Sequence, residues 1–137
     1  MKPSLKLGNT AEVIITVTED MCPAFDSVIV HPVYSTWSMA HHMEIAARKV
    51  LKDHLQDHEE GIGSHLEINH LAPTPLGHQV RLVAEAVELG PTNLTCTIIA
   101  YHLKPNGEEK IVGKGTQTQR ILPKKLLANL IQRESTP

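Results

Sequence analysis

The sequence predicts an α+β domain in which a curved antiparallel sheet wraps around one long central helix. Three observations support this architecture: one strong helical pattern, five segments of strand character, and no second long helix. Because a sheet must bury its apolar face, the one long helix has to lie across it. The chain has 137 residues, about the length of an ordinary domain, so we expect residues 1–137 to form a single domain.

In chain order, residues 10–18 come first and predict a strand, because they are rich in β-branched side chains. Residues 19–34 contain Pro23 and Pro32 and predict a loop with at most a short extended piece. Apolar side chains then recur at helical spacing at Met39, Met43, Ala46, Ala47, Val50, Leu51 and Leu55. Ser35 or Thr36 can cap the start of this helix. Because two glycines follow Glu60, we expect the helix to end near that residue.

Four further strands are predicted at residues 65–72, 79–89, 93–103 and 110–122, and a short helix at residues 124–132. Short turns separate the last three strands, which predicts an antiparallel meander. A curved antiparallel sheet around one helix is the hot-dog fold. Such a sheet leaves a strand edge open, and a second copy commonly closes such edges, so we expect a homodimer or a tetramer.

Composition argues against several classes of function. The net charge of −2, from 13 basic and 15 acidic residues, argues against a nucleic-acid binder. Aromatic residues make up 3% of the chain, too few for stacking platforms that bind single strands or sugars. No apolar run is long enough to cross a membrane, and no basic-then-apolar leader opens the chain. Together with only two cysteines, these features predict a cytoplasmic protein without a membrane partner.

Two ionisable residues interrupt surfaces that should be buried. On a helical wheel, Glu44 falls inside the apolar stripe, near its edge. On the next strand, His70 shares a face with Leu66 and Ile68. Each residue has a simple structural alternative: an ion pair between Glu44 and Arg48, and a core histidine bonded to a backbone carbonyl. Because the two elements should pack together, we also interpret the pair as a carboxylate and an imidazole that could activate water.

Thr36 and Gly63 are further candidates. The Thr36 hydroxyl either caps the helix or helps to hold a developing negative charge. The backbone N–H of Gly63 could meet a substrate carbonyl, although Gly61 and Gly63 are equally explained as a helix stop and a turn. Eight residues of continuous helix separate Thr36 from Glu44 by about 12 Å. They can share a site only if the helix starts late or bends, if the substrate bridges them, or if they meet across a dimer.

Two segments carry a family resemblance. Residues 33–46 (VYSTWSMAHHMEIA) contain a threonine and a Met-Glu pair, and residues 61–77 (GIGSHLEINHLAPTPLG) combine glycines, a histidine and prolines. Thr36 and Glu44 are eight residues apart, and His70 follows 26 residues later. With these motifs at these intervals, the chain resembles the fluoroacetyl-CoA thioesterase family of hot-dog proteins over residues 30–122.

This resemblance implies a dimeric hydrolase that cleaves acyl-CoA thioesters. It implies that Glu44 is the nucleophile or the base that activates water, that His70 assists proton transfer, and that Thr36 hydrogen-bonds at the reacting centre. It also implies that the backbone N–H of Gly63 meets the thioester oxygen. The family's fluoroacetate enzyme gates its pocket with phenylalanines ahead of the helix. Residues 26–35 contain none, so the identity of the acyl group stays open.

Other interpretations stay open at this point. The nine histidines suggest a metal site, but no metal-ligand spacing is recognisable, so we expect no metal and no cofactor. The hot-dog fold also supports enoyl-thioester hydratases or dehydratases and non-catalytic acyl-thioester-binding modules. A cysteine hydrolase is disfavoured, because Cys96 lies on a predicted central strand and Cys22 has no obvious histidine partner.

Overall fold

The computed structural model describes residues 1–137 and contains a five-stranded sheet, a two-stranded hairpin and two α-helices. The strands are β1 (Thr10–Thr16), β2 (Ala24–Phe25), β3 (Val28–Ile29), β4 (Glu59–His70), β5 (Gln79–Leu89), β6 (Asn93–Leu103) and β7 (Glu109–Pro123). The helices are α1 (Thr36–Leu51) and α2 (Lys124–Ser135), and single 3-10 turns occupy Glu19–Met21 and Lys52–His54. The predicted strands at residues 79–89 and 93–103 coincide with β5 and β6.

The large sheet has the strand order β1-β5-β6-β7-β4, and every neighbouring pair is antiparallel. Helix α1 packs against all five strands, which confirms the predicted hot-dog architecture. The pairing register shifts between Gly63 and His65, between Ala86 and Glu88, and between Ala100 and Tyr101. Such bulges bend a strand and increase its twist, which helps a sheet to curve around a helix.

Helix α1 begins where the sequence predicts but ends earlier. The Ser38 N–H donates to the Ser35 hydroxyl at 3.1 Å, so Ser35 is the N-cap and Thr36 is the first helical residue. The helix ends at Leu51, and the prediction of an end near Glu60 was wrong. A 3-10 turn follows Leu51 and returns the chain to the sheet, so that the segment before the glycines is already strand.

The two glycines after Glu60 lie inside β4, so their interpretation as a helix stop was also wrong. A Cβ atom on Gly61 would lie 2.6 Å from Cδ2 of Leu51. Glycine therefore permits the strand to pass close to the end of α1. The requirement comes from packing between two elements and not from a turn.

The core lies between α1 and the face of the sheet that it covers. Met39 and Met43 are fully buried, and they pack against Gly113 and Gly115 of β7. A Cβ atom on either glycine would collide with a methionine sulfur, so the absence of side chains lets the helix approach the strand. The fully buried residues of the sheet include Val80, Leu82, Ala84, Leu94, Cys96, Ile98, Ala100 and Val112.

Strands β1 and β4 form the two edges of the sheet. Residues 62–65 of β4 are exposed to solvent in the single chain. Helix α2 follows β7, contacts β4, and buries none of its own residues. Neither helix combines the length and the apolar character that a membrane-spanning segment requires. The edge at β4 is the one that carries both Gly63 and His70.

Candidate active site

Thr36 and His70 form a direct side-chain pair. The Thr36 hydroxyl lies 2.9 Å from Nδ1 of His70, which is hydrogen-bond distance. Thr36 is available for this bond because Ser35, and not Thr36, caps the helix. The contact brings the first residue of α1 to the last residue of β4. The interpretation of Thr36 as the helix cap was therefore wrong.

His70 is half-buried, and its second ring nitrogen is unsatisfied. Nε2 is buried and has no hydrogen-bond partner, and Nδ1 faces Thr36, so neither ring nitrogen makes the backbone-carbonyl bond of the core-histidine alternative. Burial lowers the pKa of His70, and the neighbouring backbone of Ala72 opposes that shift to a smaller degree. A neutral imidazole with one bonded nitrogen can accept or relay a proton near neutral pH.

A cleft of about 320 Å³ opens beside this pair and is lined by Tyr34, Thr36, His70, Leu71, Ala72 and other residues of the same loops. Tyr34 is buried, and its ring packs edge-on against His70 with centroids 6.4 Å apart. The Tyr34 hydroxyl lies 2.6 Å from Nδ1 of His42, a buried residue of α1. Burial raises the pKa of Tyr34 and, together with the neighbouring His41, lowers the pKa of His42.

The Tyr34–His42 pair was not predicted from the sequence. His42 was considered only as one of many possible metal ligands, and Tyr34 precedes the helix in a segment that predicts a loop. Their contact gives the Thr36–His70 pair a rigid neighbour, because a buried hydroxyl bonded to a buried imidazole has little freedom to move.

Glu44 lies on the exposed face of α1 and makes no hydrogen bond or ion pair within the chain. Arg48 does not pair with it. The Arg48 guanidinium instead binds the Glu60 carboxylate at 2.7 Å and the Gly61 carbonyl at 3.0 Å. The bond from Arg48, together with the Gly61 N–H that donates to the same carboxylate, holds the pKa of Glu60 below its usual range. The structural alternative of a Glu44–Arg48 ion pair was therefore wrong.

Gly63 of β4 lies beside the Glu44 carboxylate. A Cβ atom on Gly63 would lie 3.1 Å from Oε1 of Glu44 and 3.3 Å from Nε2 of Gln117. Gln117 is 3% exposed, and its Oε1 is buried without a hydrogen-bond partner. Sequence reasoning missed Gln117. The signal available was its place on β7, where Gln117 and Gln119 interrupt an inward face of Gly113, Gly115 and Ile121.

The four predicted site residues thus form two groups within one chain. Thr36 and His70 are in contact, and Glu44 lies beside Gly63, about 12 Å away along the helix. Helix α1 is continuous from Thr36 to Leu51, so a late start of the helix does not bring the groups together. Of the ways to unite them that were considered above, a bridging substrate and a second chain remain.

The other candidates have simpler explanations. Cys22 and Cys96 are free and buried; burial raises the pKa of both thiols, to about 11 for Cys96, which disfavours a thiolate nucleophile. No three histidine, cysteine or acidic side chains are grouped closely enough to hold a metal ion. Phe25, from the hairpin ahead of α1, packs edge-on against Trp37 with centroids 6.1 Å apart, so an aromatic pair does lie at the start of the helix.

Comparisons with known proteins agree with this fold. The family model for FlK, the fluoroacetyl-CoA-specific thioesterase, matches residues 17–125. A Thermus thermophilus hypothetical protein of the thioesterase superfamily is 36% identical, with 97% of this chain and 94% of that chain covered and a TM-score of 0.88.

Two more distant structures share the fold. A hot-dog-like protein from Thermanaerovibrio acidaminovorans is 19% identical, with 99% and 95% of the two chains covered and a TM-score of 0.85. The fluoroacetyl-CoA thioesterase FlK is 21% identical, with 98% and 99% covered and a TM-score of 0.80. No curated protein sequence matches this chain.

Proposed function

The chain belongs to the fluoroacetyl-CoA-specific thioesterase family and is an acyl-CoA thioesterase, and we propose that it hydrolyses short or small acyl-CoA thioesters with Thr36, Glu44 and His70. The observation that carries the site assignment is the Thr36–His70 hydrogen bond beside an unsatisfied Nε2. Glu44 supplies the carboxylate that these two residues lack. The products are a free acid and CoA.

In the proposed reaction, the carbonyl carbon of the thioester is attacked either by the Glu44 carboxylate or by a water that Glu44 deprotonates. The C–S bond breaks, and the sulfur leaves as the CoA thiol with a proton that His70 relays from the attacking water or from solvent. Where Glu44 itself attacks, a water then hydrolyses the acyl–Glu44 anhydride, which releases the free acid and restores the carboxylate. Thr36 holds the His70 ring through Nδ1, which leaves Nε2, the ring nitrogen without a partner, for the proton transfer. The backbone N–H of Gly63 stabilises the negative charge on the carbonyl oxygen.

We further propose that the active unit is a homodimer in which the two groups of residues come from different chains. The separation of about 12 Å between Thr36 and Glu44 supports this arrangement, since one small acyl group cannot contact both groups in a single chain. Strand β4 supports it as well, because an unpaired edge exposed over residues 62–65 favours pairing with a second copy. The whole chain, 1–137, acts as one domain in this proposal, and its two free, buried cysteines fit a reducing cytoplasm.

Thiol release from a panel of short, branched, aromatic and long acyl-CoAs tests the proposed function. We expect the wild type to release CoA fastest from the smaller acyl groups, and Glu44→Ala to abolish the release. Glu85→Ala is the matched control, because it removes an exposed carboxylate from β5 without touching the site. Equal activity of Glu44→Ala and wild type would contradict the site assignment. Reversible hydration of an enoyl-CoA without thiol release would contradict hydrolysis itself.

A further inference from the structure

Gln117 and Gln119 occupy equivalent positions on β7 and yet have different surroundings. Both side chains are buried, with exposures of 3% and 2%, and the polar end of each lies beside a glycine of β4: Gln117 beside Gly63, and Gln119 beside Gly61. The Gln119 amide is satisfied, because its Nε2 donates to the backbone carbonyl of Ala47 at 3.1 Å. The Gln117 amide has no such partner, and its Oε1 is buried and unbonded.

An unsatisfied buried amide destabilises a fold, so packing alone would favour leucine at position 117. The side chain that faces Gln117 across Gly63 is Glu44, and both polar ends approach the same side of that glycine. Amide N–H groups donate to carboxylates and leave them ionised. The Nε2 donor of Gln117, and not its unbonded Oε1, lies on the same side of Gly63 as Glu44, the one carboxylate of the site that has no partner in the chain.

We propose that Gln117 is a positioning residue for Glu44: its carboxamide orients the carboxylate above Gly63 and favours its ionised form. This inference rests on the proposed function, because it assigns Gln117 a role in the same site. The other charged and titratable groups beside Glu44 are His41, Arg48 and Lys49 of α1 and Lys52 of the 3-10 turn that follows it. Arg48 is already bonded to Glu60 and Gly61, and Lys49 donates to the Glu12 carbonyl, so neither of these two cations orients Glu44. Gln117 is the group that reaches Glu44 from the sheet.

Two leucine variants separate this role from a structural one. Gln117→Leu is expected to lower kcat at least about tenfold, with KM within about threefold of wild type, while the thermal midpoint stays equal or rises. Gln119→Leu is the matched control: it removes a satisfied hydrogen bond to α1, so it should lower the thermal midpoint and change kcat less than about threefold.

Gln117→Glu gives an independent readout that does not depend on how leucine packs. A second carboxylate close to Glu44 raises the pKa of the carboxylate pair, because two negative charges at short range disfavour each other. The acid limb of the kcat/KM profile should therefore move to higher pH. In Gln119→Leu that limb should stay where it is in the wild type.

Both Gln117 variants are assayed with the acyl-CoA that the wild type hydrolyses fastest, and their kinetics test the role of Gln117. A Gln117→Leu enzyme with near-wild-type kcat, or a Gln117→Glu enzyme with an unmoved acid limb, overturns the inference and leaves the proposed function intact. A wild-type protein that releases no thiol from any acyl-CoA overturns both.

Discussion

The two groups of site residues differ in how much of their surroundings a single chain supplies. Thr36 and His70 are bonded to each other at 2.9 Å, and the buried ring of Tyr34 packs against His70. Glu44 is exposed and bonded to nothing in the chain, and beside it lie Gly63 and an unsatisfied Gln117 amide. The Thr36–His70 group is already ordered in a single chain. Glu44 has hydrogen-bond donors nearby but is bonded to none of them.

One chain by itself orients the Thr36–His70 group. In the proposed homodimer, the surroundings of Glu44 are completed only when the two chains associate. A hydrogen-bonded imidazole next to a buried tyrosine is oriented by the fold of one chain. An exposed carboxylate acquires its orientation only when a substrate or a second chain excludes water from it. Variants in the two groups should therefore differ in how strongly they depend on assembly.

Removing a reacting side chain gives the largest expected effects, and in the ordered group that side chain is His70. His70→Ala should lower kcat/KM for thioester hydrolysis at least about 10²-fold, because it removes the proton-transfer group. Thr36→Val should lower kcat/KM about tenfold, since the imidazole stays but loses its fixed orientation. Steady-state thiol release measures both. His65→Ala is the control, an exposed histidine of the same strand, and near-wild-type turnover by His70→Ala would refute the assignment of His70.

Mixed dimers test whether the two groups come from different chains. A dimer of one Glu44→Ala chain and one His70→Ala chain contains one intact site if the groups meet across the interface. Such a dimer, purified through two different tags, should regain about half of the wild-type activity. A dimer with Glu44→Ala in both chains should remain inactive. Failure of the mixed dimer to regain activity would indicate that both groups act within one chain.

A smaller effect is expected where β4 passes Glu44. In Gly63→Ala the new methyl group would lie 3.1 Å from Glu44 Oε1 and 3.3 Å from Gln117 Nε2, so one of the two side chains must shift by a few tenths of an ångström. A displaced carboxylate should lower kcat about tenfold. Gly107→Ala is a poor control because of its positive φ, whereas Ser64→Ala removes only an exposed hydroxyl that donates to the Thr118 carbonyl at 3.3 Å. Unchanged kcat in Gly63→Ala would show that Glu44 tolerates displacement.

The smallest expected effect is on the free energy of unfolding. It comes from His42 and His70, at the ordered group, and from His102. Burial lowers the pKa of His42 and His70, and burial together with His78, Lys104 and Lys110 lowers the pKa of His102. Below about pH 6.5, the unfolded chain therefore binds more protons than the folded one, and the free energy of unfolding should fall as the pH falls.

Urea unfolding at pH 7.5 and at pH 5.5 measures this dependence on pH. His102→Gln should reduce the dependence of the unfolding free energy on pH while leaving the active site intact. His70→Gln should reduce the same dependence by removing a histidine of the site. An unfolding free energy that rises as the pH falls would be the opposite of what these three histidines predict.

Much of the fold was predictable because its signals are local. The β-branched segments and the turns between them predict β5 and β6 with their observed boundaries, and a hydroxyl residue at position 35 predicts the start of α1. The end of α1 was not predictable in the same way. A glycine after a helix looks like a stop, but Gly61 is glycine because the side chain of Leu51 lies against it, and that contact joins two separate elements.

The sequence by itself determined the ingredients of the site: a hydroxyl, a carboxylate and an imidazole at fixed spacing on a helix and the strand that follows it. Periodicity predicts which face of an element a residue occupies, and it placed Glu44 inside the apolar stripe of α1, whereas the structure exposes that residue. Only the tertiary structure decided that Thr36 bonds His70, that Arg48 turns away from Glu44 to Glu60, and that Gln117 is left unsatisfied beside Gly63. Those outcomes depend on distances between elements far apart in the chain, and packing alone sets such distances.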